Sequence, residues 1–155
     1  MRRRDREITD KKVIEQFIAK EQILRIGFND NGEIYIVPIN YGYSLANDKY
    51  SFYFHGAKAG RKFELSKLEP VVGFEIDGKY RILENKIACD FSAAFQSVIG
   101  TGKLHLVDDR EEKRTGLNAI MRQVASKVEW DYSEEMLETV AVFRLDVDKI
   151  SCKAK

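Results

Sequence analysis

The chain has 155 residues, of which 44% are hydrophobic and 33% are charged, and its formal net charge is +1. This length and composition are typical of one globular domain, so we expect residues 1–155 to form a single domain. The balanced charge does not favour general binding of nucleic acid, and no apolar run approaches the roughly 20 residues that cross a bilayer. No apolar signal core follows the basic N-terminus, so we expect a cytoplasmic protein without a membrane partner.

The cysteines and histidines do not form a pattern typical of a metal centre. Cys89 and Cys152 lack the CxxC spacing of zinc sites, and His55 and His105 lie far apart in the chain, outside any HExxH motif. We therefore expect no metal site and no disulfide framework.

The first half of the chain is predicted to contain a helix followed by strands. Apolar residues one turn apart predict an amphipathic helix over 10–20, capped by Thr9 or Asp10. β-rich runs predict strands over 22–28, 33–41 and 50–55. Asn31-Gly32 is a strong hairpin signal between the first two strands, and a turn is expected at 46–49. A helix of two turns is predicted over 61–68.

The second half is predicted to contain more strands and one long helix. Strands are expected over 71–77, 85–95, 97–107 and 139–147, with a turn at Asp77-Gly78 and a bend or connection near 95–97. Gly100 and Gly102 suggest a bulge or a close approach of backbones. Apolar residues three and four apart predict a helix over 109–127, and a short helix is expected near Ser133–Met136. Six or seven antiparallel strands with few helices indicate a mainly β fold, a closed or partly closed barrel with flanking helices.

One candidate binding segment follows the aromatic strand that ends at His55. Small residues at Gly56, Ala57 and Gly60 precede Arg61 and Lys62, which fall in the first turn of the predicted helix. Free N–H groups give a helix N-terminus a partial positive charge, so two cations there are unfavourable unless an anion compensates them. A phosphate group would supply that anion, and a solvated basic turn is the alternative.

A second candidate is the strand segment Val37-Pro38-Ile39-Asn40. Proline cannot donate a hydrogen bond to a sheet, so Pro38 indicates an edge or a broken ladder with backbone groups available to a ligand. Both faces of this strand are apolar, so one face is expected to fill the barrel while the other meets a second subunit. The alternative is an edge strand that uses proline against aggregation.

Taken in order, these motifs resemble the pyridoxamine-phosphate-oxidase-like split-barrel flavoproteins, and in particular their 5-nitroimidazole-resistance (Nim-type) branch. The resemblance covers nearly the whole chain. It is carried by Arg3 with Asp5-Arg6-Glu7-Ile8, by Val37–Tyr43, by Tyr53–Ala57 with Gly60-Arg61-Lys62, and by Gln96–Gly102. It implies a split β-barrel and a homodimer that holds FMN at the interface between subunits.

The resemblance also implies roles for individual residues. The flavin ring would be bordered by Val37, Pro38, Ile39 and Asn40, and the ribityl-phosphate region by Phe54, His55, Gly56 and Ala57. Gly60, Arg61 and Lys62 would bind the phosphate, Ser97 would contact the cofactor from the partner chain, and Trp130 would cover the pocket. The basic and aromatic substrate motif that typical pyridoxamine-phosphate oxidases carry near the C-terminus is absent from 150–155, which argues against vitamin B6 oxidation.

Two kinds of function remain open at this point. The first is a flavin-dependent oxidoreductase that takes electrons from a reduced nicotinamide or another donor and reduces a nitroaromatic or similar small oxidant. There His55 would either donate a proton or position the cofactor. The second is a noncatalytic FMN- or haem-binding module or redox sensor, or a divergent enzyme of the pyridoxamine-phosphate-oxidase type.

Overall fold

A computed structural model describes residues 4–125 and 130–155. Within them, one antiparallel sheet of eight strands is flanked by helices. The strands are β1 (Glu7–Ile8), β2 (Ile23–Asp30), β3 (Glu33–Asn40), β4 (Gly42–Ala46), β5 (Lys49–Ala57), β6 (Val71–Leu83), β7 (Ser92–Val107) and β8 (Val140–Ala154). The α-helices are α1 (Lys11–Lys20), α2 (Arg61–Ser66), α3 (Arg110–Val124) and α4 (Glu134–Thr139), and Arg4–Arg6 and Ala88–Asp90 form short 3-10 helices.

The order of strands in the sheet confirms the predicted mainly β, split-barrel architecture. Neighbouring strands follow the order β3-β2-β6-β7-β8-β5-β4, and β1 pairs with the end of β8. The terminal strands β3 and β4 are separated in sequence by Tyr41 alone, yet no backbone pairing in the described part of the chain closes the sheet between them. The prediction of six or seven strands is too low, since the sheet has eight. The sequence did not indicate β1, which has only two residues, or β4, which is rich in small and polar residues.

Two predicted boundaries in the second half are wrong. Residues 85–91 do not form a strand, so the strand predicted over 85–95 begins too early. β7 continues as one strand past residue 96, which confirms the alternative of a bend there over a connection. The predicted turn at Asp77-Gly78 lies inside β6, where the pairing register shifts between Gly78 and Arg81 and Lys79 has a φ of 54°. A bulge therefore replaces the turn, and β6 and β7 extend together beyond it as a longer hairpin.

The predicted hairpin turns, the cap of α1 and the long helix are confirmed. Asn31 and Gly32, like Asn47 and Asp48, have positive φ angles, as two-residue hairpin turns require. Asp10 caps α1 by accepting hydrogen bonds from the Lys12 and Val13 amides. The helix predicted over 109–127 corresponds to α3; residues 126 and 127, and Arg3 of the N-terminal motif, lie outside the described residues.

Gly100 and Gly102 occupy the close approach between β7 and β8 that the sequence suggested. A Cβ atom on either glycine would lie 2.2 Å from a carbonyl oxygen of β8, that of Lys149 or Asp146. The register of β7 and β8 also shifts between Thr101 and Gly102. Side chains at these positions would therefore force the two longest strands apart.

The interior of the barrel is filled by aromatic rings. Phe54 and Phe143 stack with their centroids 4.9 Å apart, and Phe52 meets Phe74 edge-on at 5.2 Å. Phe17 and Ile18 of α1 are buried in the same cluster. This core holds the strands that carry the candidate site.

A second, smaller apolar layer lies outside the barrel. The helices α3 and α4 cover the outer faces of β5 and β8 through a cluster that includes Tyr53, Leu117, Ile120 and Leu137. A Cβ atom at Gly42 would lie 2.1 Å from the Ala119 carbonyl carbon, so α3 packs directly on the backbone of β4. None of the helices in the described ranges 4–125 and 130–155 has the length and apolar character needed to span a membrane.

Candidate functional site

The segment predicted to bind phosphate joins the end of β5 to the start of α2. Gly60 precedes α2 with a φ of 91°, a left-handed conformation that favours glycine, and no side-chain hydrogen bond caps the helix. A Cβ atom built on Gly60 would have no neighbour within 4 Å. The start of α2 is therefore open to a ligand.

Arg61 already has anionic partners. Its Nε donates to Asp30 Oδ2 at 2.8 Å and its Nη1 to Glu33 Oε1 at 2.9 Å, both at the β2–β3 turn. Its guanidinium carbon lies 4.8 Å from the ring centroid of Tyr35. The hydrogen bonds that Arg61 donates to Glu33 and Asp30 raise the pKa of Arg61. The premise that both cations need a bound anion is thus wrong for Arg61, whose charge is compensated by carboxylates distant in sequence.

Lys62 has a different environment. Its half-buried Nζ lies 5.4 Å and 5.1 Å from the ring centroids of Phe54 and Phe143 and 3.4 Å from the carbonyl oxygen of His55. Burial lowers the pKa of Lys62. Within the described part of the chain, no carboxylate lies within ion-pair distance of it, so its charge is open to an incoming anion.

Gly56 makes room for this lysine. A Cβ atom on Gly56 would lie 2.9 Å from Lys62 Nζ, closer than real Cβ contacts. Because Gly56 belongs to β5, the strand itself accommodates the cation. The structure thus brings Phe54, His55, Gly56 and Lys62 together, with the exposed Ala57 immediately after them.

His55 points to the opposite side of β5 from Phe54, since alternate residues of a strand face opposite ways. Part of its ring is buried, and this burial together with the nearby Lys62 charge lowers the pKa of His55. In the ranges 4–125 and 130–155, no partner is hydrogen-bonded to its imidazole nitrogens. His55 is therefore a neutral imidazole near pH 7 with polar atoms available to a ligand.

The residues predicted to border a flavin ring divide between the two faces of β3. Val37 and Ile39 pack toward the barrel core, whereas Pro38 and Asn40 are exposed, and Asn40 Nδ2 donates to the Gln22 carbonyl at 3.1 Å. β3 is a terminal strand of the sheet, which confirms the prediction that Pro38 marks an edge. The prediction that one face fills the barrel is also confirmed.

Ser97 lies on the same outer face as Pro38 and Asn40. The register pairs Pro38 with Arg25, Arg25 with Glu75, and Glu75 with Ile99, two residues from Ser97. These three predicted residues form a group separate from His55 and Lys62. Among the described residues, no hydrogen bond or ion pair joins the two groups.

Trp130 lies beside α3, where its backbone N–H donates to Asn118 Oδ1 at 3.2 Å. It does not line the cavity of about 330 Å³ that lies between the outer faces of β5 and β8 and the helices α3 and α4. The α3 side of this cavity is formed by Leu117, Ile120 and Met121. Tyr132, Met136, Thr139 and Val140 line the rest, together with His55.

Sequence reasoning identified His55 but missed the other residues of this cavity. The spacing of apolar residues in α3 predicts which side chains face the sheet. The same spacing is found in a helix that packs tightly on a sheet and in one that leaves a cavity beneath it. No signal in the sequence distinguishes the two cases.

Comparison with protein-family models matches residues 10–154 to the family described as pyridoxamine 5'-phosphate oxidase. The chain belongs to this family. Comparison with curated proteins gives no match. Many solved structures are similar to the chain.

A proposed 5-nitroimidazole antibiotic resistance protein from Bacteroides thetaiotaomicron is 30% identical to the chain, with a TM-score of 0.81 over 96% of this chain and 86% of that one. The flavocytochrome Anf3 from Azotobacter vinelandii is 21% identical, with a TM-score of 0.82 over 100% and 72% of the two chains. An FAD- and haem-binding protein from Mycobacterium smegmatis is 12% identical, with a TM-score of 0.83 over 97% and 73%. The last two likenesses show the fold alone.

For a member of the pyridoxamine 5'-phosphate oxidase family, the start of α2 fits a phosphate-bearing cofactor. Gly60 leaves open space, and Lys62 supplies a cation without a carboxylate partner in the described part of the chain. Arg61 uses Nε and Nη1 for its carboxylates, while its Nη2 makes no hydrogen bond to any described residue. The donors available there match the acceptor oxygens of a phosphate ester.

Proposed function

We propose that the chain is an FMN-dependent oxidoreductase that works as a homodimer and reduces nitroaromatic or related small oxidants. The observation that carries this proposal is Lys62, a half-buried cation without a carboxylate partner in the described residues, next to the open backbone at Gly60. A charge held in a partly apolar environment is costly unless an anion reaches it. Family membership supports a flavin as the source of that anion.

In this proposal, Lys62 binds the FMN phosphate, with Nη2 of Arg61 as a further donor. Pro38 and Asn40 border the ring on the outer face of β3. Val37 and Ile39, whose side chains pack toward the core, border it through the backbone at the exposed edge of the strand. His55 positions the cofactor as a neutral imidazole. Ser97 contacts the flavin of the partner subunit.

The homodimer is proposed from the outer face of the sheet. Ile34 and Ile36 are 66% and 61% exposed there, on the same side of β3 as Pro38. Isolated exposed apolar residues are normal on a protein surface, but apolar residues that line one strand edge favour a protein partner. A second copy of this chain would cover them and bring Ser97 to the shared site.

Bound FMN supplies the electron transfer between a reduced nicotinamide and the oxidant. For a nitroaromatic the balance is one nitro compound, one NADH and one proton giving one nitroso compound, one NAD⁺ and one water. The protein supplies the phosphate contact, the shape of the pocket and the exclusion of water.

A noncatalytic flavin or haem carrier is the second candidate. The observation that favours it is His55, an exposed residue whose imidazole has no hydrogen-bond partner among the described residues and lies near Met121 and Met136. Imidazole and thioether groups are common axial ligands of haem iron. The visible spectrum of the purified protein separates a flavin carrier from a haem carrier, and the released cofactor is identified by mass spectrometry.

The phosphate contact is tested by titrating FMN and riboflavin into the cofactor-free protein and following flavin fluorescence. Lys62→Met keeps the aliphatic packing against Phe54 and Phe143 and removes the charge. A charge-assisted hydrogen bond contributes about 1.5–3 kcal/mol, so we expect FMN to bind roughly 10- to 150-fold more weakly. Riboflavin lacks the phosphate, so its affinity should not change.

Lys67→Met is the matched control, since Lys67 lies just after α2 and pairs with Glu64 at 2.8 Å. It removes one charge from the same region and should leave both affinities within about twofold of the native protein. The phosphate site would be contradicted if Lys62→Met lost equal affinity for FMN and riboflavin. It would also be contradicted if Lys62→Met and Lys67→Met lost equal affinity for FMN. Oxidation of NADH or NADPH by the FMN-loaded protein with nitroaromatic acceptors then tests turnover, and retained flavin without turnover favours the carrier.

A further inference from the structure

The cavity between the barrel and the helices α3 and α4 is not explained by the cofactor contacts proposed above. It has a volume of about 330 Å³, and apolar side chains of α3, α4 and β8 form most of its wall. Among the residues that the structure describes, His55 connects it to the proposed flavin site, since its backbone carbonyl accepts the hydrogen bond from Lys62.

We propose that this cavity binds the electron acceptor, and that the acceptor is a neutral aromatic molecule of at most two fused rings with a polar substituent directed at His55. The acceptor role rests on the proposed function. Binding of such a molecule does not, because the cavity is formed by this chain without a cofactor.

The volume sets the size of the ligand. An engineered apolar cavity of about 150 Å³ in another protein binds one benzene ring, so a cavity about twice as large accommodates two fused rings. Met121 and Met136 line the cavity on two sides. Their flexible thioethers adjust to flat ligands and make favourable contacts with aromatic rings.

The polar groups of the wall set the chemistry of the ligand. The Tyr132 hydroxyl donates to Asn118 Oδ1 at 3.3 Å, and Thr139 Oγ1 donates to backbone carbonyls of α4 at 3.0 Å and 3.2 Å. These hydroxyl protons are already used, whereas the His55 imidazole has no hydrogen-bond partner in the described part of the chain. The His55 imidazole is therefore the group on the wall that can hydrogen-bond to a polar substituent of the ligand.

None of the described side chains that line the wall is charged near neutral pH. Burial lowers the pKa of His55 and raises the pKa of Tyr132, so both side chains are neutral at pH 7. A charged ligand would lose its hydration on entry without meeting an opposite charge on the wall. The cavity therefore favours neutral molecules over carboxylates of the same size.

The test is a series of nitroaromatics titrated into the flavin-free protein and into the FMN-loaded protein, followed by amide shifts in NMR spectra. Nitrobenzene and 1-nitronaphthalene should bind and shift the signals of Leu117, Met121 and Thr139. 9-Nitroanthracene and 4-nitrobenzoate should bind at least tenfold more weakly than 1-nitronaphthalene. Equal affinity for the three-ring or the charged compound, or no binding of 1-nitronaphthalene up to its solubility, would overturn the proposal.

Met121→Trp places additional bulk in the cavity and should weaken 1-nitronaphthalene at least tenfold. Val124→Trp is the matched control, because Val124 lies on the same helix, is 45% exposed and does not line the cavity. The affinity of Val124→Trp for 1-nitronaphthalene should stay within twofold of that of the native protein. If Met121→Trp does not fold, as judged by circular dichroism, Met136→Trp at the exposed rim replaces it.

FMN titration separates this proposal from the proposed function. Native protein that fails to bind FMN but binds 1-nitronaphthalene overturns the proposed function and, with it, the acceptor role of the cavity. Competition between FMN and 1-nitronaphthalene also overturns the acceptor role, because acceptor and cofactor must be bound together. Independent binding of both, with FMN affinity retained in Met121→Trp, supports it.

Discussion

The two apolar regions of this protein are packed in different ways. Inside the barrel, Phe52, Phe54 and Phe143 are fully buried and contact other rings, as expected where the core holds the strands together. Under α3 and α4, the apolar layer is smaller and leaves a cavity of about 330 Å³. Side chains that line a gap lack some of the contacts of a filled core, so the layer beside His55 contributes less stability than a fully packed one would.

This difference separates stability from binding in the molecule. The barrel fixes the positions of β3 and β5, and with them Pro38, His55 and the start of α2. The outer layer under α3 and α4 contains the cavity that can hold a ligand. We therefore expect substitutions in the barrel to act mainly on unfolding and substitutions in the outer layer to act mainly on ligands.

The largest effect is expected for Phe52→Ala. Phe52 has no exposed surface and contacts the rings of Tyr41, Tyr50 and Phe74, so its truncation leaves a cavity in a region without room to adjust. The free energy of unfolding in urea should fall by about 3–5 kcal/mol. Met121→Ala, beside the existing cavity, should cost less than about 2 kcal/mol, since part of its side chain already faces space.

Both variants are compared with native protein in the same denaturant, and the slopes of the transitions are checked for equality. If Phe52→Ala does not fold, Phe52→Leu replaces it with a smaller expected loss. Similar losses for the barrel and cavity variants would remove the distinction between the two regions.

A smaller effect is expected where the outer layer meets the sheet. Gly42→Ala would place a Cβ atom 2.1 Å from the Ala119 carbonyl carbon, so α3 must move away from β4. We expect a loss of about 1–3 kcal/mol, measured as a lower melting temperature. Gly27→Ala is the control, since its Cβ would meet its nearest atoms at 3.9 Å, an ordinary contact. Equal melting temperatures for the two variants would show that α3 is not packed on this glycine.

Features that depend on neighbouring residues could be predicted from the sequence. Asn31-Gly32 gives a hairpin because both residues tolerate positive φ, and Pro38 marks an edge because it has no N–H to donate. The segment from His55 to Lys62 was located for the same reason, since its small residues and cations are adjacent in the chain.

Features that depend on distant residues could not be predicted. Asp30 and Glu33 compensate Arg61 from 31 and 28 positions away, through a contact that exists only after the β2–β3 turn folds against α2. The cavity depends on the distance between helices and sheet, which the apolar pattern of α3 does not encode. The bulge in β6 was missed because Asp77-Gly78 indicates a turn unless a partner strand continues beside it. For β7 the sequence left a bend and a connection near residue 96 equally open, because the pairing with β8 that carries the strand through is distant in the chain.

The smallest effect is expected at His55, which lies between the two regions. Burial and the nearby Lys62 charge hold the pKa of His55 in the folded protein below its ordinary value of 6.5. The unfolded chain therefore binds a proton on this histidine more readily than the folded chain. The stability that neutral His55 permits is fully present above about pH 6.5 and is lost as the pH falls through the folded-state pKa.

The measurement is the urea midpoint of the flavin-free protein at pH 7.5 and at pH 5.0. Native protein should lose more stability between these values than His55→Gln, which has no titrating ring, and Lys62→Met should show an intermediate loss because one of the two causes is removed. Hydrogen bonds from Lys103 and His105 lower the pKa of Glu69 to about 2, and burial raises the pKa of Glu75. Both carboxylates are present in native protein and in His55→Gln, so the difference between these two proteins isolates the imidazole. If His55→Gln loses as much stability as the native protein, folding does not lower the pKa of His55, and the burial of its ring against the cavity is contradicted.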